Sequence, residues 1–243
     1  MARFFIAGTN IAGGRAIIRG RDAEHVKVLR LRPGEDVTLC DGEGTDYKCR
    51  LVQADREQAE VEVVEVVRCP AEPNVDVTVL CGLPKGDKTE YIIQKCVEAG
   101  AKEILFFQSK HCVARPEAPE KKLERWQRIS EEAAKQSGRG IIPRVGWVGE
   151  FADALNEAVQ KELALFLYET GDREGLDLVL NANREIKTLA LITGPEGGFA
   201  PFEADLARIA GLRICSMGQR ILRCETAPVV ALTAAMYATG NLS

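Results

Sequence analysis

The sequence predicts an α/β protein, with a β-rich first third and a mostly parallel α/β remainder. Three observations carry that reading. Residues 59–67 (AEVEVVEVV) alternate apolar and acidic side chains, the period of a half-buried strand. From residue 75 onward, short apolar runs alternate with helix-length segments, which is the pattern of βαβ units. Between the two parts, CPAEPN (69–74) carries two prolines and interrupts both rhythms. The expected domains are therefore 1–72 and 73–243.

In the first part, 3–7, 16–20, 37–40, 47–54 and 59–67 are short strands separated by glycine-bearing turns, as in a small barrel or sandwich. HVKVLRL (25–31) fits either a strand or one helical turn. In the second part, VDVTVLCG (75–82) reads as a buried strand. A helix follows from Asp87, a good N-cap, to Gly100, a good residue to end on. EILFF (103–107) is the next strand, and Pro119 opens a long helix ending near Gly138. Then come helix 150–161, strands 163–168 and 188–192, helix 201–210, strand 212–216, and a helix over 226–239 with Thr226 as N-cap. That last helix is apolar on nearly every side, so it belongs in a core or against a second subunit.

Composition excludes several classes. The 243 residues are 46% hydrophobic and 28% charged, which suffices for an ordinary core. No apolar run approaches the roughly 18 residues of a membrane span, and the start is too short in apolar residues for a secretion signal. The eight cysteines include no CxxC and only His25 and His111 accompany them, so reduced thiols in a cytoplasmic protein without a metal are expected.

Two segments carry the chemistry. In TLALITGPEGGFAPFE (188–203) an apolar strand runs into Gly194-Pro195-Glu196-Gly197-Gly198, just before a helix. Ligands of open α/β sheets bind at such strand ends, and glycines admit them close to the backbone. The loop lacks the Gly-Lys-Ser/Thr of a phosphate loop, and Glu196 disfavours phosphate. A neutral or cationic ligand fits better, although a purely geometric turn has the same composition. The second segment, ICSMGQRILRCETAPVVALTAAMYA (214–238), places Arg220 and Arg223 in a loop around Ile221 and Leu222, with Glu225 next to the helix start. A loop that hides apolar side chains and aims guanidiniums outward suits a ligand wall, and a solvated surface loop is the plainer reading.

At this point the chain resembles the RsmE family, the bacterial ribosomal RNA small subunit methyltransferases E. The resemblance spans nearly the whole sequence. It includes Arg3-Phe4-Phe5, His25, Val28 to Leu31, Asp41-Gly42, Lys85-Gly86-Asp87, Gln94-Lys95, Arg125-Trp126 and Gln136-Ser137. It is most specific in Gly194 to Phe199 followed by Met217 to Ala227. Met217 and Cys224 stand where the family usually has Leu and Thr, and Ala99 where it has Leu; no charged or glycine position departs. The resemblance implies an N-terminal PUA-like RNA-binding barrel and a C-terminal SPOUT domain with a deep trefoil knot, acting as a homodimer. It implies S-adenosylmethionine as cofactor, no metal, and methylation of N3 of uridine-1498 in 16S rRNA of the small ribosomal subunit.

Under that resemblance the methyl donor lies among Leu167, Thr193, Gly194, Pro195, Glu196, Gly197, Gly198, Ser216, Met217, Gly218, Ile221, Leu222, Arg223, Thr226 and Ala227. Arg223 or Arg220 would stabilise charge on the uracil ring, with Glu225 orienting it or assisting proton loss. The rival readings are a same-fold methyltransferase for another RNA, a non-catalytic RNA-binding protein, and a nucleotide-dependent enzyme, for which LPKGDKTE (83–90) is a weak candidate.

The formal charge of −4 argues against an RNA partner only as an average. Residues 15–32 hold six basic side chains against two acidic, 110–144 nine against five, and 208–223 four against none, while the acids gather in 41–80 and 150–185. Arg3, Arg15, Arg19, Arg21, Lys27, Arg30, Lys135 and Arg139 are accordingly the expected RNA contacts. Affinity for rRNA should fall steeply between 50 and 200 mM salt (about 10³-fold for six phosphate contacts), and Arg-to-Glu changes within 15–32 should weaken RNA binding while sparing donor binding. Filter binding at graded salt checks this; a flat salt response contradicts the charge map.

Overall fold

The computed structural model describes residues 2–6, 11–55, 57–114 and 119–242. Ala7, at the end of the strand expected over 3–7, lies outside them. The chain divides into two compact units, one of Met1–Glu72 with Ala134–Ile142, the other of Pro73–Ala133 with Pro143–Ser243. Segment 134–142 thus groups with the first unit, whereas the sequence assigned it to the second.

The first unit holds β1 (Ala2–Phe5), β2 (Ile11–Ala12), β3 (Arg15–Arg19), α1 (Arg21–Val28), β4 (Asp36–Cys40), β5 (Thr45–Ala54) and β6 (Gln58–Arg68). They form one sheet in the order β1-β4-β5-β6-β3-β2. Only β1 and β4 pair in parallel; the other pairs are antiparallel. Alternation works as expected in β3, where Ala16 and Ile18 are buried between exposed Arg15, Ile17 and Arg19. In β6 it holds through Ala59 and Val61, then lapses: Val64 and Val66 are exposed. Segment 25–31 is the end of a two-turn helix that buries Ala23 and Val26 and then turns through Arg30 at φ 55.

Two buried ion pairs stiffen this unit. The Arg3 guanidinium donates to both carboxylate oxygens of fully buried Asp46, at 2.7 and 2.8 Å. Burial opposes the charge on Arg3, but the bond to Asp46 outweighs it and holds its pKa above the ordinary arginine value. Arg139 Nη2 donates to Glu72 Oε2 at 2.7 Å, and Glu72 Oε1 also accepts the N–H groups of Gly140 and Ile141. The segment after the long helix is fastened to the boundary residue Glu72 in this way. Breaking such buried pairs leaves an uncompensated charge, which is why they hold their elements firmly.

The second unit contains β7 (Asp76–Gly82), α2 (Lys88–Glu98), β8 (Glu103–Gln108), α3 (Pro119–Ser137, its last turn belonging to the first unit), β9 (Arg144–Glu150), α4 (Phe151–Ala158) and β10 (Leu163–Leu167). It continues with β11 (Glu174–Gly175), α5 (Leu176–Ala182), β12 (Thr188–Thr193), α6 (Pro201–Ile209), β13 (Arg213–Ser216) and α7 (Ala227–Ala238). The sheet order is β11-β13-β10-β12-β7-β8-β9, and every pair is parallel. After β12 the chain passes beyond β10 and adds β13 on its far side. A parallel sheet covered on both faces explains the near-continuous apolar strands.

β9 and α5 were not expected, nor were the two-residue strands β2 and β11. β9 contains two glycines; at Gly146 a Cβ would stand 2.9 Å from Leu105 Cδ2, so the strand needs a residue that weakens its sequence signal. α5 spans seven residues, too few for helical periodicity to show. The N-caps expected at Asp87 and Thr226 occupy those positions but make no side-chain cap bond, because both have helical backbone angles. α7 packs against α5, α2, β7 and β12 and buries Ala231, Leu232, Ala235 and Met236, while Val230 and Tyr237 remain exposed.

Candidate active site

The strands β13, β10 and β12 are neighbours, so the loops after them open at the same edge of the sheet. They enclose a cavity of about 530 Å³, within the usual range of small-molecule sites, about 300–1,000 Å³. The loop after β12 is held by its own aromatic anchor: Phe199 lies 4.3 Å, centroid to centroid, from Phe166 of β10 in a cluster with Phe107 and Phe151. Gly198 N donates to Pro195 O at 3.0 Å with φ 63, a left-handed turn that favours glycine. Gly82, at the end of β7, lies so close that a Cβ there would stand 2.5 Å from Pro195 Cδ. His111 Nδ1 lies 3.0 Å from Gly197 O and supports the loop from the other side.

A charged cluster joins the two principal loops. Glu196 Oε1 accepts from Lys85 N and from Lys88 Nζ, both at 3.0 Å. The same ammonium stands 3.7 Å from Glu225 Oε2. Glu225 in turn stands 3.9 Å from Arg223 Nη1 and accepts from Cys224 Sγ. Burial raises the Glu196 pKa, but the bonds from Lys85 and Lys88 more than reverse this and hold the carboxyl below its ordinary value. Its backbone hydrogen bonding, helped by Lys88 and Arg223, does the same for Glu225. The bond to Glu196 holds Lys88 above its ordinary value. Burial pushes the Cys224 thiol up to about 12, so it is no nucleophile at neutral pH.

Leu167, Thr193, the run from Gly194 to Gly198, Ser216, Met217, Gly218, Arg220, Ile221, Leu222, Arg223, Glu225 and Ala227 all line this cavity. Thr226 does not stand among the lining residues; it closes the turn in which its N–H and that of Ala227 both donate to Arg223 O. The expectation that the loop hides Ile221 fails: its side chain is 86% exposed, since no described element packs over it. Arg15, Arg19, Arg21, Lys27 and Arg30 lie exposed on the first unit, Arg15 pairing with Glu60. Lys135 lies 3.4 Å from Asp22. Arg3 and Arg139 depart from the expected RNA contacts: their guanidiniums are engaged with Asp46 and Glu72 inside the first unit, with side chains only 14% and 3% exposed. Among the described residues no group of three or more His, Cys, Asp or Glu side chains is arranged to hold a metal, and no helix is long and apolar enough to cross a membrane.

A family model described as an RNA methyltransferase domain matches residues 71–236, and one described as an RNA methyltransferase PUA domain matches residues 18–64. The chain is 34% identical over 229 residues to the ribosomal RNA small subunit methyltransferase E of Bacillus subtilis, covering 91% of this chain and 90% of that protein. The chain belongs to the ribosomal RNA small subunit methyltransferase E family. The Mycobacterium bovis family member is also 34% identical, over 239 residues, with 95% and 89% coverage. The crystal structure of the Neisseria gonorrhoeae family member bound to S-adenosyl methionine superposes with a TM-score of 0.85 at 30% identity, covering 98% of this chain and 97% of that one.

The sequence reading missed Lys88, Tyr168, Glu169 and Arg173, which also line the cavity. Lys88 follows the expected N-cap and faces the site because α2 starts beside the glycine loop. The other three follow β10, and the strand-end rule that found the glycine loop would have found them once β10 was known to be central.

The Lys88 cluster predicts a pH dependence. Glu196 and Glu225 lie below the ordinary 4.5, so their contribution to stability is complete above that value and is lost as pH falls through their lowered pKa values. Lys88 lies above the ordinary 10.5, so its contribution persists below that value and is lost as pH rises past its raised pKa. Lys88→Met should lower stability at pH 7 by about 1 kcal/mol or less, since the groups are part-exposed. The gap to wild type should close below pH 4.5, as thermal unfolding at graded pH will read.

Proposed function

We propose that this protein transfers a methyl group from S-adenosylmethionine to N3 of a uridine in 16S rRNA of the small ribosomal subunit, the position numbered uridine-1498. The observation that carries the reading is the meeting of the 194–198 and 217–225 loops in one cavity, in a chain of this family. The residues suit the donor. Glycines at the strand ends leave backbone groups within reach of an adenine. Glu196 and Glu225 are tolerant of a sulfonium cation where a phosphate would be repelled. S-adenosylmethionine, when bound, supplies the electrophilic methyl carbon.

The chain's own part is to bind, orient and stabilise charge. Holding acceptor and donor in line supplies much of the rate. Loss of the N3 proton to solvent water leaves negative charge on the uracil ring, and Arg223, 85% exposed at the cavity mouth, is placed to stabilise it. Glu225, whose Oε1 stands 3.9 Å from Arg223 Nη1, is assigned the positioning of Arg223. The exposed basic residues of β3 and α1 are assigned to the rRNA backbone. A second copy of the chain is assigned to the apolar surface left by Val230 and Tyr237 of α7 and Leu178 of α5. A domain boundary after residue 72, the C-terminal knot and a cytoplasmic location belong to the same reading.

Incubation with S-adenosylmethionine and unmethylated 16S rRNA, followed by nucleoside mass spectrometry, should yield 3-methyluridine. At saturating S-adenosylmethionine, Arg223→Ala should lower turnover about 10²–10³-fold, the usual loss for one stabilising donor. Near-normal turnover of that variant removes Arg223 from the mechanism, and a different methylated nucleoside redirects the substrate assignment.

A further inference from the structure

Four cationic side chains line the cavity: Lys88, Arg173, Arg220 and Arg223. Lys88 is bonded to Glu196. Arg220 is exposed, and Arg223 is exposed beside Glu225. Arg173 differs from all three. Its Nη1 is buried and has no hydrogen-bond partner among the described residues. A buried, unpaired guanidinium nitrogen is unfavourable and calls for a partner. The planar fork of arginine matches a carboxylate. Because Arg173 is itself one of the residues that line the cavity, a turn of its side chain toward a small anion there would give the unpaired nitrogen its partner.

Glu169 stands four residues earlier in the same loop and lines the same cavity. Its Oε1 lies so near Gly198 that a Cβ there would stand 2.5 Å away. The loop after β10 therefore offers one group of each charge to the cavity. We propose that Arg173 and Glu169 form the subsite for the amino-acid end of the methyl donor, Arg173 binding its carboxylate and Glu169 its ammonium. This rests on the donor assignment above. It makes the β10 loop, which neither glycine-rich segment includes, the part of the site that distinguishes a complete donor from an adenosine fragment.

The test is calorimetric titration with two ligands, S-adenosylhomocysteine, which carries the amino-acid end, and 5′-methylthioadenosine, which lacks it. Arg173→Gln should weaken S-adenosylhomocysteine at least about tenfold and leave 5′-methylthioadenosine within about twofold. Arg173→Lys should recover part of the loss, and Glu169→Gln should weaken S-adenosylhomocysteine several-fold. Unchanged binding, or equal losses for both ligands, overturns the proposal. So does an effect confined to the KM for rRNA, which would assign Arg173 to a phosphate. Failure of the wild-type protein to bind either ligand would instead overturn the donor assignment, so the two failures are told apart.

Discussion

Everything at the candidate site depends on the parallel direction of one sheet. Because all seven strands of the second unit run the same way, their carboxyl ends meet at one edge. β10 lies between β12 and β13, so three loops far apart in sequence open together. The loops are then fixed by short-range constraints. Gly82 has no side chain to hold Pro195 off, Phe199 is packed into an aromatic cluster, and Lys88 stands between the carboxylates of the two main loops. Removing the parallel order would scatter the site; removing one of the local constraints would loosen it.

Charge is distributed by the same economy of position. In the first unit the Arg3–Asp46 and Arg139–Glu72 pairs are buried and structural. At the cavity the charged groups are part-exposed and surround space for a ligand. On β3 and α1 the arginines and lysine are exposed. One residue type thus does three physically distinct things, and burial separates them more sharply than sequence position does.

The sequence made the broad architecture readable because it rests on periodicity: the alternation of β3 and early β6, the apolar runs of β7, β8, β10 and β12, and the fully apolar α7. The two loops were readable because glycine and arginine are unusual in those patterns. Other features were hidden for physical reasons. Strand order is a property of long-range pairing, so the passage of β13 beyond β10 leaves no local mark. Gly146 and Gly149 mask β9, and α5 is too short to show a period. Arg3 and Arg139 look like any surface arginine until Asp46 and Glu72 are found beside them. Lys88 and Arg173 matter only through neighbours distant in sequence.

The central claim is that the ends of β10, β12 and β13 together form one donor site. Hydrogen–deuterium exchange with and without saturating S-adenosylmethionine tests it most directly. Slowed exchange should appear in 168–173, 194–199 and 217–226 and be weak elsewhere in the second unit. Protection centred instead on 83–90, or confined to a single one of the three loops, would contradict the account.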